Sequence, residues 1–349
     1  MVGDLDGDSN PEIIAALETG QTIPGVYFFE WDPGAGSFPS APSSYWDPRL
    51  AGVVGSPGLP HEGRWDFEIS PQVADLDGDG KQEMVLSAAA GLAIVELASG
   101  DIACPTWDVE YLNTTDFIHS YALQVTDLDG DGLKEIVYAS VWATSDWAHP
   151  MFYILESTGE DNYNLAVTLD WNSLPVQWAG SNGHFVEADL DGSGSTELYI
   201  PTVNGTFWVI DPEGDYTFLD STYFYLVHTF PAQGWDIGDA ILGDQDHGAG
   251  SDGADIYIAG GESGDVFDVE YEGGDITDPA SYSIYTIFDS PDDEANPFRL
   301  ALGDDMDGDG NKELVIESVN QARVIPTVYV LEWGTGSPMS KAMELEHRK

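Results

Sequence analysis

Short acidic loops recur along the chain, and their residue types are those of a site for a hard cation. The clearest copy reads DLDGDGKQE and spans residues 75–83. Asp75, Asp77 and Asp79 alternate with other residues, and Glu83 closes the loop. Carboxylates at alternate positions of a tight turn can converge on one centre, because the glycines permit the backbone angles that the turn needs. An oxygen-only ligand set favours Ca²⁺ over Mg²⁺, which keeps several waters, and over Zn²⁺, which binds histidine or cysteine.

Each full copy offers the same ligands: side-chain oxygens at its first, third and fifth positions, a backbone carbonyl at the seventh and a glutamate at the ninth. The predicted ligands are Asp4, Asp6, Asp8, Asn10 and Glu12; Asp75, Asp77, Asp79, Lys81 and Glu83; Asp127, Asp129, Asp131, Leu133 and Glu135; Asp189, Asp191, Ser193, Ser195 and Glu197; and Asp305, Asp307, Asp309, Asn311 and Glu313. A degenerate copy contributes Asp244, Asp246, Asp252 and Asp255. We therefore expect about five or six structural calcium ions.

The copies differ in detail. Ser193 stands where the others have a third aspartate, so a water is expected to complete that site. The degenerate copy carries an insertion, and Asp252 or Asp255 stands in for the glutamate. Whether this loop binds metal is left open. A single copy would be equally typical of a solvated acidic turn, but the repetition favours metal binding.

The loops return about every 60 residues, which is the spacing of one supersecondary unit per repeat. Short runs of β-branched and aromatic residues flank them, such as 136–138, 198–200 and 314–316. No segment keeps a helical period, so we expect no substantial helix. The pattern predicts an all-β fold, a β-propeller of six blades with about four antiparallel strands each. A seventh blade without the motif is left open.

The predicted domain is a single propeller over residues 1–337, followed by a tail at 338–349 that resembles vector-derived sequence. The first copy has no full strand before it. Its blade is therefore expected to be incomplete or to borrow a strand from the C-terminal end. The chain opens inside an acidic motif, so we expect it to be part of a longer protein.

The loops and their period resemble the FG-GAP (VCBS-type) repeats of integrin α-subunit propellers and of many secreted bacterial proteins. The resemblance covers roughly residues 1–335. It implies calcium held between two strands of one blade, in a structural role. The glutamate at the ninth position and the flanking strands separate this motif from the helix–loop–helix calcium loop, whose glutamate comes at the twelfth.

Composition limits the partners. Acidic residues number 63 against 10 basic ones, a net charge of −53, so nucleic acid and anionic membranes are not expected to bind. A hydrophobic content of 42% indicates a folded chain. No apolar run is long enough for membrane insertion. The single cysteine, Cys104, precludes an internal disulfide and is expected to be buried or half-buried. The resemblance implies a secreted or cell-surface location.

Several histidines and aromatic residues lie near the predicted first strands or in exposed loops, where a propeller can contact a ligand. Aromatic rings beside carboxylates suit a sugar, although packing between blades is the alternative for each. The candidates are His61, Arg64, Trp65, His119, Trp142, Trp147, His149, His184 and Trp235.

Three functions fit the sequence. The first is a non-catalytic module for binding or adhesion, with a glycan or a protein as ligand. The second is a carbohydrate-active enzyme, a glycoside hydrolase or polysaccharide lyase, on a calcium-binding propeller. The third is a purely structural module. No catalytic pair can be identified among 63 acidic residues, so catalysis is left undecided.

Overall fold

The computed structural model describes most of the chain. The described residues are 2–17, 25–47, 71–88, 91–113, 120–140, 151–170, 185–202, 205–212, 216, 219–230, 239–244, 254–260, 264–289, 295–303, 312–320, 325–334 and 337–345. The chain divides into two compact units, Met1–Trp171 and Asn172–Lys349.

The first unit contains three four-stranded antiparallel sheets. Their strands are β1 (Val2–Gly3), β2 (Glu12–Leu17), β3 (Gly25–Glu30) and β4 (Ser44–Trp46); β5 (Gln72–Ala74), β6 (Glu83–Ala88), β7 (Gly91–Leu97) and β8 (Trp107–Asn113); and β9 (Ser120–Thr126), β10 (Glu135–Ser140), β11 (Met151–Ser157) and β12 (Tyr163–Asp170).

The second unit repeats this plan with three further sheets. Their strands are β13 (Val186–Ala188), β14 (Glu197–Pro201), β15 (Thr206–Ile210) and β16 (Phe224–Thr229); β17 (Asp239–Gly243), β18 (Asp255–Ala259), β19 (Asp265–Tyr271) and β20 (Tyr282–Asp289); and β21 (Ala295–Gly303), β22 (Glu313–Asn320), β23 (Ile325–Gly334) and β24 (Ser337–Leu345).

In every sheet the spatial order of the strands follows the chain, which is the arrangement of a propeller blade. Six such blades make the chain an all-β, six-bladed β-propeller, as predicted. Helix is limited, in the described ranges, to short 3-10 turns, among them Ser221–Tyr223 and Pro279–Ser281. No described helix has the length and apolar character of a membrane span.

Some second strands of the blades are buried along their whole length. All five residues of β14 are buried, and so are all five of β18. Strands covered on both faces read as continuous apolar runs, which is why the apolar run 198–200 predicted β14. Fourth strands such as β12 mix buried and exposed residues.

Apolar clusters join neighbouring blades within each unit. In the first unit, Phe28 of the first blade belongs to the same cluster as Met84 and Val95 of the second. Tyr199 of the fourth blade shares a cluster with Ile256 of the fifth. The cores therefore lie between blades, and each blade needs its neighbour to bury its faces.

Buried polar side chains also connect first strands. Gln72 of β5 donates from Nε2 to the carbonyl oxygen of Leu123 (2.8 Å) and accepts from the backbone N–H of Val125 (3.0 Å). In the second unit, Oδ2 of Asp239 accepts from the backbone N–H of Leu300 (3.0 Å). These bonds fix one blade against the next.

Three local expectations were wrong or need adjustment. The first blade has four strands of its own, because the two-residue strand β1 pairs with β2 in the sheet β1-β2-β3-β4. Strand β24 continues past the predicted boundary at residue 337 as the fourth strand of the last blade. Cys104 is exposed, since it lies in the turn between β7 and β8. The prediction of a single domain stays a prediction.

Candidate metal centres

The acidic loops occupy one place in the blade. Each joins the first strand to the second, and the closing acid is the first residue of the second strand. Glu12, Glu83, Glu135 and Glu197 open β2, β6, β10 and β14 in this way. Since all four strands begin at the ninth residue of the loop, the predicted ligands occupy equivalent positions in the four blades.

The degenerate loop follows the same plan at its ends. Asp244 directly follows β17, and Asp255 opens β18. Asp255 is only 2% exposed, so of the two candidates it is the residue at the glutamate's position. In the last blade Glu313 opens β22 and is 3% exposed. The other predicted ligands of these two loops lie outside the described residues: Asp246, Asp252, Asp305, Asp307, Asp309 and Asn311.

Four loops share one set of backbone-to-side-chain hydrogen bonds. The N–H at position 6 donates to the carboxylate at position 1, the N–H at position 5 to the side chain at position 3, and the N–H at position 7 to the side chain at position 5. In the second loop these are Gly80 to Asp75 (3.1 Å), Asp79 to Asp77 (3.1 Å) and Lys81 to Asp79 (2.8 Å). The corresponding bonds are Ser9 to Asp4, Asp8 to Asp6 and Asn10 to Asp8; Gly132 to Asp127, Asp131 to Asp129 and Leu133 to Asp131; and Gly194 to Asp189, Ser193 to Asp191 and Ser195 to Ser193.

The turn requires left-handed backbone at position 6. Gly80, Gly132 and Gly194 have φ of 90°, 93° and 90° there. In the first loop Ser9 takes their place with φ of 73°. A side chain is costly at such angles, so three of the four loops use glycine.

The closing glutamate is the most buried of the predicted ligands in each of these four loops. In the second loop the backbone N–H of Leu76 donates to Oε2 of Glu83 at 2.6 Å. The same bond joins Leu5 to Glu12 (2.8 Å), Leu128 to Glu135 (2.7 Å) and Leu190 to Glu197 (3.1 Å). All four glutamates are at most 1% exposed.

In three of these four glutamates the second carboxylate oxygen has no hydrogen-bond partner within the part of the chain that the structure describes. Oε1 of Glu12, of Glu83 and of Glu197 is buried and has no hydrogen-bond partner within the described residues. Oδ1 of Asp4 and Oδ1 of Asp127 are likewise buried without a hydrogen-bond partner among the described residues. A buried carboxylate oxygen without a partner is strongly unfavourable, and a bound cation would remove that cost.

The carboxylates also converge. In the first loop one oxygen from each of Asp4, Asp6, Asp8 and Glu12 lies within 4.8 Å of the others. Two further loops meet the same limit, with Asp75, Asp77 and Glu83 in one and Asp127, Asp129 and Glu135 in the other. Two oxygens on opposite sides of a calcium ion are separated by about 4.8 Å, twice the Ca–O distance. The residues present therefore fit a hard divalent cation.

Burial raises the pKa of the closing glutamates. Desolvation is the main cause; the bond from the leucine N–H opposes it, and nearby carboxylates add to it. The pKa rises to about 7 for Glu12 and to about 8 for Glu83, Glu135 and Glu197. Without a cation these side chains hold a proton near neutral pH.

Sequence reasoning missed a contact of Lys81. Only its backbone carbonyl was predicted to matter, but Nζ lies 2.7 Å from Oε1 of Glu96 and 3.3 Å from Oδ2 of Asp79. The pKa of Lys81 is raised, first through the bond to Glu96. This ion pair is exposed and contributes little to stability.

Sequence reasoning also missed that the loops contact the next blade. Oδ2 of Asp6 accepts from the backbone N–H of Ile102 (3.2 Å), and Oδ2 of Asp77 accepts from that of Asp161 (2.8 Å). Both donors lie in turns between the third and fourth strands of the following blade. No local motif marks these donors, because 96 and 84 residues separate the partners.

The predicted ligand contacts cannot be placed. His61, Arg64, Trp65, His119, Trp142, Trp147, His149, His184 and Trp235 all lie outside the described residues. Their role stays a prediction.

Comparison with known proteins supports the fold alone. No protein-family model matches the chain, and no curated protein matches its sequence. Among solved structures, BBS1N in complex with ARL6DN is similar, with a TM-score of 0.53 and 10% identity over 98% of this chain and 80% of that one. The β-propeller domain of Myceliophteria thermophila Cps50 (Swd1) has a TM-score of 0.51 and 10% identity over 98% of this chain and 85% of that one. At such identities the similarity concerns architecture, not function.

Proposed function

We propose that the chain is a calcium-stabilised β-propeller of the FG-GAP/VCBS type that works as a non-catalytic binding module. One observation carries the calcium assignment: three loops bury a closing glutamate whose Oε1 has no hydrogen-bond partner among the described residues. The ion would be held by the side chains of each loop, such as Asp4, Asp6, Asp8 and Glu12 in the first.

Calcium would act on structure. Within a loop the carboxylates repel one another, and a divalent cation replaces that repulsion with attraction. Since the loops also touch the next blade, the ion would stabilise the contact between blades as well as the turn. Ca²⁺ supplies charge and flexible oxygen coordination, and no chemical step is assigned to it.

A secreted or cell-surface location is part of the proposal. Extracellular calcium modules bind at about 10⁻⁴–10⁻³ M, so weak sites are filled outside the cell. A net charge of −53 favours cations and disfavours nucleic acid.

The proposed ligand is a glycan or a protein. BBS1N, similar in fold, was solved in complex with ARL6DN, so a propeller of this architecture can present a protein-binding surface. A glycan array run beside a reducing-sugar assay, both in calcium, tests the binding role. Glycan binding without turnover supports it. Turnover would favour the carbohydrate-active enzyme instead. If neither assay gives a signal, the chain either binds a protein ligand, which a pull-down would detect, or is a structural module.

A further inference from the structure

The fourth strand of the second blade places a glutamate at a β-bulge. In the pairing of β7 with β8, Ile94 lies opposite Tyr111 and Val95 opposite Val109, so Glu110 is the extra residue. A β-bulge changes the direction in which its side chain points, and bulges are commonly functional features of a sheet and not defects.

Three other blades have an aliphatic residue at the corresponding bulge. The extra residues are Ala166 in β12, Val227 in β16 and Ile287 in β20. Val227 and Ile287 are buried, at 4% and 1% exposure. The position therefore suits an apolar side chain, and a carboxylate there needs a specific partner.

Two other carboxylates face Glu110. One oxygen each from Asp77, Glu110 and Asp161 lies within 4.8 Å of the other two. Asp77 belongs to the acidic loop of the second blade and is 7% exposed, whereas Asp161 belongs to the β11–β12 turn of the third blade. The bond from the Asp161 N–H to Oδ2 of Asp77 (2.8 Å) holds the two blades in this arrangement.

The described residues hydrogen-bond to only one of the two carboxylate oxygens of Glu110. The hydroxyl of Tyr163 donates to Oε2 at 2.7 Å. Oε1 is completely buried, and no described residue hydrogen-bonds to it. The ion pairs of Lys81 go to Asp79 and Glu96, and within the described ranges no basic side chain pairs with Glu110.

We propose that Asp77, Glu110 and Asp161 bind a second divalent cation, Ca²⁺, between the second and third blades. Glu110 and Asp161 belong to no acidic loop, so this site is separate from the nine-residue ligand sets. Asp77 is shared between the two sites. The enclosed Oε1 of Glu110 supplies a preformed ligand, and the ion removes the repulsion between three carboxylates from three elements. Bound there, it ties two blades together.

Native mass spectrometry at fixed free calcium tests the proposal by counting ions per chain. Glu110→Gln keeps the shape and the Tyr163 bond but removes the charge, and we expect it to bind one ion fewer than the wild type. Asp108→Asn is the matched control, because Asp108 is an exposed acid on the same strand; it should bind as many ions as the wild type. Equal counts for Glu110→Gln and wild type would overturn the site.

Thermal melts of Glu110→Val give a second readout that does not depend on Glu110→Gln folding. Valine is the residue that β16 uses at its bulge, so the variant should fold. In chelator it should melt above the wild type, and calcium should raise its Tm by less. A calcium-induced rise equal to that of the wild type would contradict the proposal. If the wild type binds no calcium at all, the loop sites are refuted as well. If Glu110→Gln and the wild type bind the same number of ions, only the site at Glu110 is refuted, and the loop sites remain.

Discussion

At the scale of single residues, the proposed calcium sites rest on buried carboxylate oxygens to which no described residue hydrogen-bonds. The closing glutamates accept one backbone N–H and leave a second oxygen buried, as Oε1 of Glu83 shows. Such a group is stable only as a protonated acid or beside a cation.

Removing one ligand should weaken one site. Asp129→Ala takes a carboxylate from the third loop, and we expect calcium to stabilise the variant by less than the wild type. A site at 100 times its dissociation constant contributes about 2.7 kcal/mol, which is the upper limit of the loss. Calcium titrations followed by thermal melts measure it. Glu160→Ala, an exposed acid outside the loops, is the control; an equal effect there would mean that general charge, not a site, is responsible.

The raised pKa values predict how pH acts. Because the folded pKa of Glu83, Glu135 and Glu197 is about 8, above the ordinary value of 4.5, their contribution to apo stability is full below about pH 4.5. It is lost as pH rises through 8. Calcium needs the ionised form, so the calcium-induced rise in Tm should grow between pH 5 and pH 8. Melts with and without calcium at constant ionic strength check this, and a rise independent of pH would count against the glutamates as ligands.

At the scale of elements, the sequence predicted the strands and loops that depend on a local residue pattern. The apolar run 198–200 became β14, and the loop spacing located all six blades. Strand β1 was missed because two residues carry no periodicity. The bulge at Glu110 was missed because it depends on the register between β7 and β8, which no local pattern specifies.

The left-handed position of each loop gives a reciprocal pair of variants. Gly132→Ser should lower stability by about 1 kcal/mol, because φ of 93° disfavours a side chain. Ser9→Gly should not lower it, because the serine already occupies that conformation with φ of 73°. Urea denaturation in excess calcium measures both. Equal destabilisation by the two changes would show that backbone strain is not what selects glycine.

The polar contact between first strands can be tested in the same way. Gln72→Ala removes two bonds to the β9 backbone, one to the buried carbonyl of Leu123 and one to the partly buried N–H of Val125. We expect a loss of about 2 kcal/mol. Gln124→Ala on the neighbouring strand is the control, since among the described residues Gln124 bonds only to the carbonyl oxygen of the adjacent Val125 (3.2 Å). If both variants lose the same stability, the contact between blades has no special role.

At the scale of the whole molecule, the charge and the fold have to be reconciled. A chain with net charge −53 repels itself, yet its apolar residues form cores between blades within each unit. Cations held in the loops would lower that repulsion where carboxylates are densest. The total stability of a domain is about 5–15 kcal/mol, so several ions at about 2.7 kcal/mol each would decide whether the chain is folded.

The most direct test is a thermal melt of the whole chain with calcium and with chelator, at fixed ionic strength, together with elemental analysis of the purified protein. We expect several calcium ions per chain and a markedly lower Tm in chelator. An unchanged Tm with no metal found would contradict it.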